Sequence, residues 1–105
     1  MTTTTAPVAT LTTPAATDTG ARTDEAARLI TGARERIDEL DGRIIRLVQE
    51  RMAVSEEIQR ERIASGGRRV SLSREMEILN HYSDRLGKNG TVLAMTLLDL
   101  CRGRV

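Results

Sequence analysis

Tryptophan and phenylalanine are absent from this 105-residue sequence, and Tyr82 is its only tyrosine. Strands are rich in aromatic and β-branched residues at alternating positions, so this composition excludes an all-β sandwich or barrel. Cys101 is the only cysteine, which excludes an intramolecular disulfide. Neither it nor the lone His81 has a neighbour at metal-ligand spacing, so no metal site is expected.

Long apolar runs and an excess of one charge are also missing. No stretch of eighteen or more apolar residues occurs, and the first residues lack the basic segment and apolar core of a secretory signal. We therefore expect a cytoplasmic protein without a membrane span. Sixteen Lys and Arg against fifteen Asp and Glu give a net charge of +1. With no aromatic platform for base stacking, nucleic acid is not an expected partner.

The basic residues that are present are almost all arginine, Lys88 being the one lysine. Guanidinium groups remain charged and bind carboxylates through two parallel hydrogen bonds. An arginine-rich chain therefore suits the recognition of small anions, although codon bias alone gives the same composition.

Residues 1–23 differ in composition from the rest of the chain. They are mainly Thr, Ala and Pro and include both prolines. Such a tract buries too little apolar surface to offset the entropy of ordering it. We expect a disordered tail over residues 1–23 and one helical domain over residues 24–105.

A long amphipathic helix is predicted from Asp24 to about Ala64, with Thr23 as its N-cap. Its apolar residues recur alternately three and four positions apart, with Arg51 in the one gap, at Ile30, Ala33, Ile37, Leu40, Ile44, Leu47, Val54 and Ile58. At about 1.5 Å per residue this helix is roughly 60 Å long, more than a small domain covers by itself. The apolar seam therefore predicts a partner helix, most simply from a second copy of the chain.

Two shorter helices are predicted after a break at Gly66 and Gly67. The second helix is expected over residues 73–86, followed by a turn over residues 87–90. Thr91 is expected to cap a third helix over residues 92–101. This last segment has almost no polar side and is expected to be nearly buried. The predicted fold is all-α, with three helices per chain.

Charged residues on the predicted apolar faces form the candidate site. Arg51 stands at a seam position, and Arg62 follows about 16 Å further along within about 20° of the same face. Two arginines so placed fit a small dianion between them. Glu75 lies on the inner face of the second helix, where it pairs with an arginine of the first helix or receives a ligand hydroxyl. Arg34, about 25 Å of helix from Arg51, reaches the same ligand only from an antiparallel partner chain.

These residues also have purely structural interpretations. Arg51 can pair with a carboxylate of a partner chain or lie along the seam, and Arg62 can be a solvated residue neutralised by Glu61. Cys101 is expected to be a small buried hydrophobic residue, and His81 receives no role. No serine has a histidine in a triad-like context, so nucleophilic catalysis is not predicted.

The arginines nevertheless follow a specific pattern. The motif R-x-x-I-D-x-L-D begins at Arg34, Arg51 follows seventeen residues later and Arg62 a further eleven, and Arg74-Glu75 opens the second helix. Over roughly residues 28 to 105 this pattern resembles the all-α chorismate mutases, especially their short delta subclass. The resemblance implies an intertwined antiparallel homodimer that converts chorismate to prephenate in phenylalanine and tyrosine biosynthesis.

The resemblance also implies a role for each matched residue. Arg34 enters the active site of the other subunit, Arg51 binds a substrate carboxylate, and Arg62 lies at the ether oxygen of the substrate. Arg74 supports the substrate and the loop, and Glu75 takes the substrate hydroxyl. The reaction is a one-step intramolecular rearrangement, so it requires no acid, base, nucleophile, metal or cofactor.

The sequence departs from the family at two places. Ser71 stands where a carboxylate often holds the ring hydroxyl, and a serine is a weaker acceptor. The usual glutamine of the third helix has no match, and Arg102, next to Gly103, is the nearest cationic candidate to bind substrate there.

The delta subclass docks onto DAHP synthase, which implies a slow isolated enzyme that this partner activates. Two other functions remain open from the residues alone. One is an isochorismate pyruvate lyase of the same fold, which binds a similar dianion. The other is a non-catalytic helical dimer adaptor in which Arg51 and Glu75 merely pair.

Overall fold

The structure is a computed structural model that describes residues 18–68 and 70–102. Within these ranges the chain forms three helices, α1 (Asp24–Ala64), α2 (Leu72–Leu86) and α3 (Lys88–Arg102), and no strand, as the all-α prediction requires. No helix in this part of the chain has both the length and the hydropathy needed to cross a membrane. Most of the predicted disordered tail, up to residue 17, lies outside the described residues, as do Arg69 and residues 103–105.

The chain divides into two compact units, Met1–Arg43 and Ile44–Val105. In the first unit, α1 begins where the sequence predicts. The Ala26 amide donates to Thr23 Oγ1 at 3.1 Å, and two acidic residues occupy the first turn, where they favour the helix dipole. Thr23 is therefore confirmed as the N-terminal cap.

In the second unit, α1 ends at the predicted glycine break. Gly66 has φ +79°, a left-handed conformation that residues with a Cβ rarely adopt. The Gly67 amide then donates to the Arg62 carbonyl at 2.7 Å, which satisfies one of the last carbonyls of the helix. Both glycines thus act as the sequence predicts.

The predicted turn over residues 87–90 and the predicted cap at Thr91 are wrong. Gly87 alone reverses the chain, with φ +74°, and α3 starts at once at Lys88. The Gly90 amide donates to the Gly87 carbonyl at 2.9 Å, inside the first turn of α3. A left-handed glycine turns the chain within one residue, so no longer connection is needed.

Gly90 is required for the close approach of α3 to α2, and not for a turn. A Cβ built at this position would lie 2.3 Å from the Tyr82 carbonyl oxygen and 2.7 Å from Leu86 Cβ. The Tyr82 oxygen belongs to the backbone of a helix, so it cannot move aside cheaply. The packing of α2 against α3 therefore depends on the missing side chain.

Gly90→Ala is expected to lower the free energy of unfolding by about 1–3 kcal/mol, because the steric overlap outweighs the better helix propensity of alanine. Denaturant unfolding followed by circular dichroism measures the change. Asn89→Ala is the control, since Asn89 is exposed one residue earlier in α3, and a change within about 0.5 kcal/mol is expected there. Equal stability of Gly90→Ala and the unaltered protein would contradict the close approach.

The small core of the second unit comes from one face of α3. Its buried apolar side chains are Ala94, Leu97 and Cys101, spaced three and four residues apart. The expectation that α3 is nearly buried is wrong for the single chain, where Val92 is 61% and Met95 57% exposed. The other faces of α3 have no neighbour among the described residues, so their apolar side chains remain in contact with solvent.

Helix α1 buries none of its 41 residues within the single chain. Its predicted seam residues after Ala33 are all exposed, with relative accessibilities from 47% to 59% at Ile37, Leu40, Ile44, Leu47, Val54 and Ile58. Monomeric proteins rarely leave a continuous apolar surface of this kind uncovered. The seam is therefore present as predicted, and the described residues do not cover it.

Candidate active site

A cavity of about 250 Å³ lies in the second unit, between the C-terminal half of α1, the residues before α2, and one side of α2 and α3. Its charged lining consists of four arginines and one glutamate: Arg51, Arg62, Arg74, Arg102 and Glu75. Every one of these residues was singled out from the sequence. The lining itself carries four positive charges against one negative charge, although Arg74 and Arg102 also form ion pairs with carboxylates. This excess of positive charge suits the cavity to an anion, and especially to one with two carboxylates.

Helix periodicity explains why α1 contributes several polar groups to this cavity. Arg51, Ser55, Gln59 and Arg62 all line it, at spacings of four, four and three residues. These spacings place side chains above one another on one face of an α-helix. Arg51 and Arg62 therefore reach the same cavity, as the sequence predicts.

The Arg51 guanidinium contacts a thiol and no carboxylate. Its Nη1 donates to Cys101 Sγ at 2.8 Å, and within the described part of the chain no acidic side chain forms an ion pair with Arg51. A thiol is a weak hydrogen-bond acceptor and, unlike a carboxylate, forms no ion pair with the guanidinium. Arg51 is half-buried at the cavity wall and is able to bind a substrate carboxylate.

Glu75 contacts Arg102 of α3. Of its two expected roles, the pairing with an arginine of the first helix is therefore not among the contacts described. Arg102 Nη2 donates to Glu75 Oε1 at 2.9 Å, and Arg102 Nη1 lies 3.6 Å from Asp99 Oδ1. The reason is that α3 continues to Arg102, whose side chain in the last turn reaches across to α2. The Glu75 side chain is 20% exposed, and it lines the cavity beside Arg102.

Arg62 and Arg74 each contact a near neighbour in sequence. Arg62 Nη1 donates to Gln59 Oε1 at 3.1 Å, one turn earlier on α1. Arg74 Nη1 donates to Glu77 Oε1 at 3.0 Å, and both side chains are about two-thirds exposed, at 67% and 66%. Such an exposed pair contributes little to stability. Arg74 therefore lies at the solvent-facing side of the cavity.

Ser71 caps α2 in addition to lining the cavity. Its Oγ accepts from the Arg74 amide at 3.4 Å, and its backbone is extended, as expected at an N-cap. The cap begins α2 at Leu72, one residue before the predicted start. Ser71 thereby fixes the start of α2, so that Arg74 and Glu75 lie in its first turn.

Three polar cavity residues were missed from the sequence: Ser55, Gln59 and Cys101. The first two follow Arg51 at intervals of four residues, so the helical period alone would have found them. Cys101 is buried, as predicted, but its contact with Arg51 joins residues 50 positions apart, and no periodic signal reports it. Gln59 lies one turn before Arg62 on α1, whereas the family resemblance implies a glutamine on the third helix.

Arg34 lies in the first unit and is described separately. Its side chain is exposed, and Nη1 donates to the backbone carbonyl of Asp18 at 3.0 Å. Within the described ranges no carboxylate forms an ion pair with Arg34. Over the same ranges, no group of three or more His, Cys, Asp or Glu residues is placed to hold a metal ion.

Comparison with known proteins decides the family. The family model described as "Chorismate mutase type II" matches residues 33–97. The chain belongs to the chorismate mutase family. The matched range includes Arg34, Arg51, Arg62, Arg74 and Glu75, and it stops before Cys101 and Arg102.

Known chorismate mutases resemble the chain over most of its length. It is 48% identical over 83 residues to the intracellular chorismate mutase of Mycolicibacterium smegmatis, covering 79% of this chain and 80% of that protein. It is 50% identical over 72 residues to the intracellular chorismate mutase of Mycobacterium tuberculosis, covering 69% and 68%. Membership of this family makes the chain a chorismate mutase, which is an isomerase.

A solved structure has the same fold. It is a non-covalent complex of DAHP synthase and chorismate mutase from Corynebacterium glutamicum with a bound transition state analog, matched with a TM-score of 0.72 and 35% identity. The match covers 76% of this chain and 96% of the matched chain. The three-helix arrangement is therefore that of an experimentally known chorismate mutase.

Proposed function

We propose that the cavity between α1, α2 and α3 binds chorismate and rearranges it to prephenate. The observation that carries this proposal is the lining itself, four arginines around one glutamate, with Arg51 in contact with the Cys101 thiol and with no described carboxylate. A dianion that enters this cavity meets guanidinium groups from all three helices. The protein then has only to hold and polarise the substrate, because the reaction is intramolecular.

The residues take the roles that the sequence resemblance implies. Arg51 binds a substrate carboxylate, and Arg62 lies at the ether oxygen of the bond that breaks. Glu75 accepts a hydrogen bond from the ring hydroxyl, and Arg74 supports the substrate at the solvent-facing side of the cavity. The positions of these four side chains around one cavity support this assignment.

Two further residues contribute to substrate binding in this proposal. Ser71 Oγ, at the α2 cap, adds an acceptor near the ring hydroxyl. Arg102 holds Glu75 through an ion pair and adds positive charge to the cavity. The third helix thus supplies an arginine where other family members supply a glutamine.

Two physical effects account for the rate in this mechanism. Arginines that hold both carboxylates keep the flexible enolpyruvyl arm over the ring, so the orientational entropy is lost on binding and not in the reaction. A fixed cation beside the ether oxygen then stabilises the negative charge that grows there as the C–O bond breaks. No proton is transferred, so neither step depends on an acid or base.

The functional unit in this proposal is an antiparallel homodimer. The α1 seam is exposed from Ile37 to Ile58 in the single chain, which supports a second copy as its cover. Arg34 carries a charge that no described carboxylate neutralises, which suits a guanidinium that enters the partner's site. Each active site would then contain side chains of both subunits.

A complex with DAHP synthase completes the proposal. The matched chorismate mutase of C. glutamicum was solved in such a complex, and two relatives are named intracellular. We expect this chain to be cytoplasmic as well, and to be slow alone and faster with DAHP synthase bound. A partner that binds only the active conformation raises its population.

Incubation with chorismate tests the proposed function, with and without DAHP synthase. Chorismate is expected to be consumed in both reactions, faster with the partner, and prephenate is the expected product by chromatography. Arg51→Gln is expected to raise KM by about 10- to 100-fold, the range of a charge-assisted hydrogen bond. Prephenate, a ligand of the native state, should also raise the melting temperature. Absence of turnover in both reactions and of any thermal shift would contradict the proposal and favour a helical adaptor.

A further inference from the structure

We propose that Cys101 is a positioning residue for Arg51, an inference that rests on the proposed function. The Cys101 thiol holds the guanidinium in the direction in which it binds the substrate carboxylate. Cys101 lies beyond the range that the family model matches, and its identity alone suggests only a small buried residue.

The chemistry of the acceptor favours this role. The Arg51 Nη1 to Cys101 Sγ contact is 2.8 Å long, and the cysteine is only 7% exposed. A carboxylate in the same place would also orient the guanidinium, but it would neutralise the charge and compete with the substrate. A thiol accepts one N–H weakly and leaves the positive charge and the other donors for the ligand.

The thiol itself is held in place from α1. Ser55 Oγ donates to the Cys101 carbonyl oxygen at 3.0 Å, one turn after Arg51 on the same helix face. Carbonyls in the last turn of a helix lack intrahelical partners, so this hydrogen bond satisfies an otherwise orphaned acceptor. Two consecutive turns of α1 therefore contact both the backbone and the side chain of Cys101. The position of Sγ relative to Arg51 is thereby defined.

Orientation before binding has a measurable consequence. An arginine whose side chain is already ordered loses less conformational freedom when the substrate arrives. The carboxylate that Arg51 binds is present in both the ground state and the transition state. Loss of the thiol contact is therefore expected to raise KM with little change in kcat.

Steady-state kinetics of three full-length variants test the proposal. Cys101→Ala removes the acceptor, and KM is expected to rise about fivefold with kcat within about twofold. Cys101→Ser restores an uncharged acceptor, and its KM is expected to remain within about twofold of the unaltered protein. Leu97→Val is the matched control, because Leu97 is also 7% exposed on α3 but does not line the cavity. It is expected to lower the melting temperature without changing KM.

A double variant distinguishes the positioning of Arg51 from a general packing effect of Cys101. In the presence of Arg51→Gln, Cys101→Ala is expected to cause no additional rise in KM, because the two residues act through one contact. If Cys101→Ala does not fold, Ser55→Ala replaces it with the core intact, and a KM rise of about twofold is expected.

Several results would overturn the proposal. The first is an unchanged KM in Cys101→Ala. The second is a rise in KM in Cys101→Ser or Leu97→Val equal to that in Cys101→Ala. The third is an equally large effect of Cys101→Ala on KM when Arg51→Gln is already present. Lack of chorismate turnover by the unaltered protein would instead refute the proposed function, and the role of Cys101 with it.

Discussion

Arg62→Gln is expected to lower kcat for chorismate by about 10²–10³-fold, the usual effect of removing one donor that stabilises developing negative charge. The side chain lines the cavity on the same α1 face as Arg51, one turn after its hydrogen-bond partner Gln59. Charge on the ether oxygen grows only as the bond breaks, so the cation acts mainly in the transition state. KM is therefore expected to change far less than kcat.

Two further variants make the Arg62 experiment specific. Arg60→Gln carries the same chemical change two residues earlier, at an exposed position that does not line the cavity, and its kcat is expected to remain within about twofold. Arg62→Lys retains the charge without the planar donor pair, so its kcat is expected to lie between those of Arg62→Gln and Arg60→Gln. An unchanged kcat in Arg62→Gln would show that this arginine does not lie at the breaking bond.

Mixing two inactive variants is expected to restore activity if the active site is shared. Arg34→Ala and Arg62→Ala homodimers each lack one arginine in every site. A heterodimer of the two contains one intact site, built from Arg62 of one chain and Arg34 of the other. Equal mixing and co-refolding should therefore give about one quarter of the unaltered activity, since half of the dimers are mixed and each has one of two sites intact.

The matched control uses Arg51 and Arg62, which in the proposal come from one chain and enter the same active site. Mixtures of Arg51→Ala and Arg62→Ala are expected to stay inactive, because every site in their heterodimer lacks one of the two. Heterodimer formation is measured by native mass spectrometry in both mixtures. Heterodimers without recovered activity in the Arg34 and Arg62 mixture would refute the shared site.

Helix α1 shows how much the sequence predicts when local signals agree. An N-cap at Thr23, a three-and-four apolar repeat and two glycines at the end all act within a few residues, and the helix spans Asp24–Ala64 as expected. The same repeat places Arg51 and Arg62 on one face, and both line the cavity. Local periodicity is therefore sufficient for the α1 part of the candidate site.

The α2–α3 connection shows where local signals mislead. Gly87 and Gly90 look alike in sequence, and both were assigned to one turn. Gly87 is the turn, whereas Gly90 lies inside α3 against the Tyr82 carbonyl. The difference depends on how closely two helices approach, which the residues around Gly90 do not encode.

The sequence by itself determined the all-α class, the long apolar seam and the set of arginines and glutamate at the site. The fold class, the seam and the placement of Arg51, Arg62 and Glu75 follow from helical period and residue chemistry, which act over one or two turns. The resemblance to a known family adds Arg74 and Arg102. Only the tertiary structure decided that Arg102 holds Glu75 and that Cys101 holds Arg51. Those contacts join residues 27 and 50 positions apart, and they exist because the last turn of α3 packs beside α1 and α2.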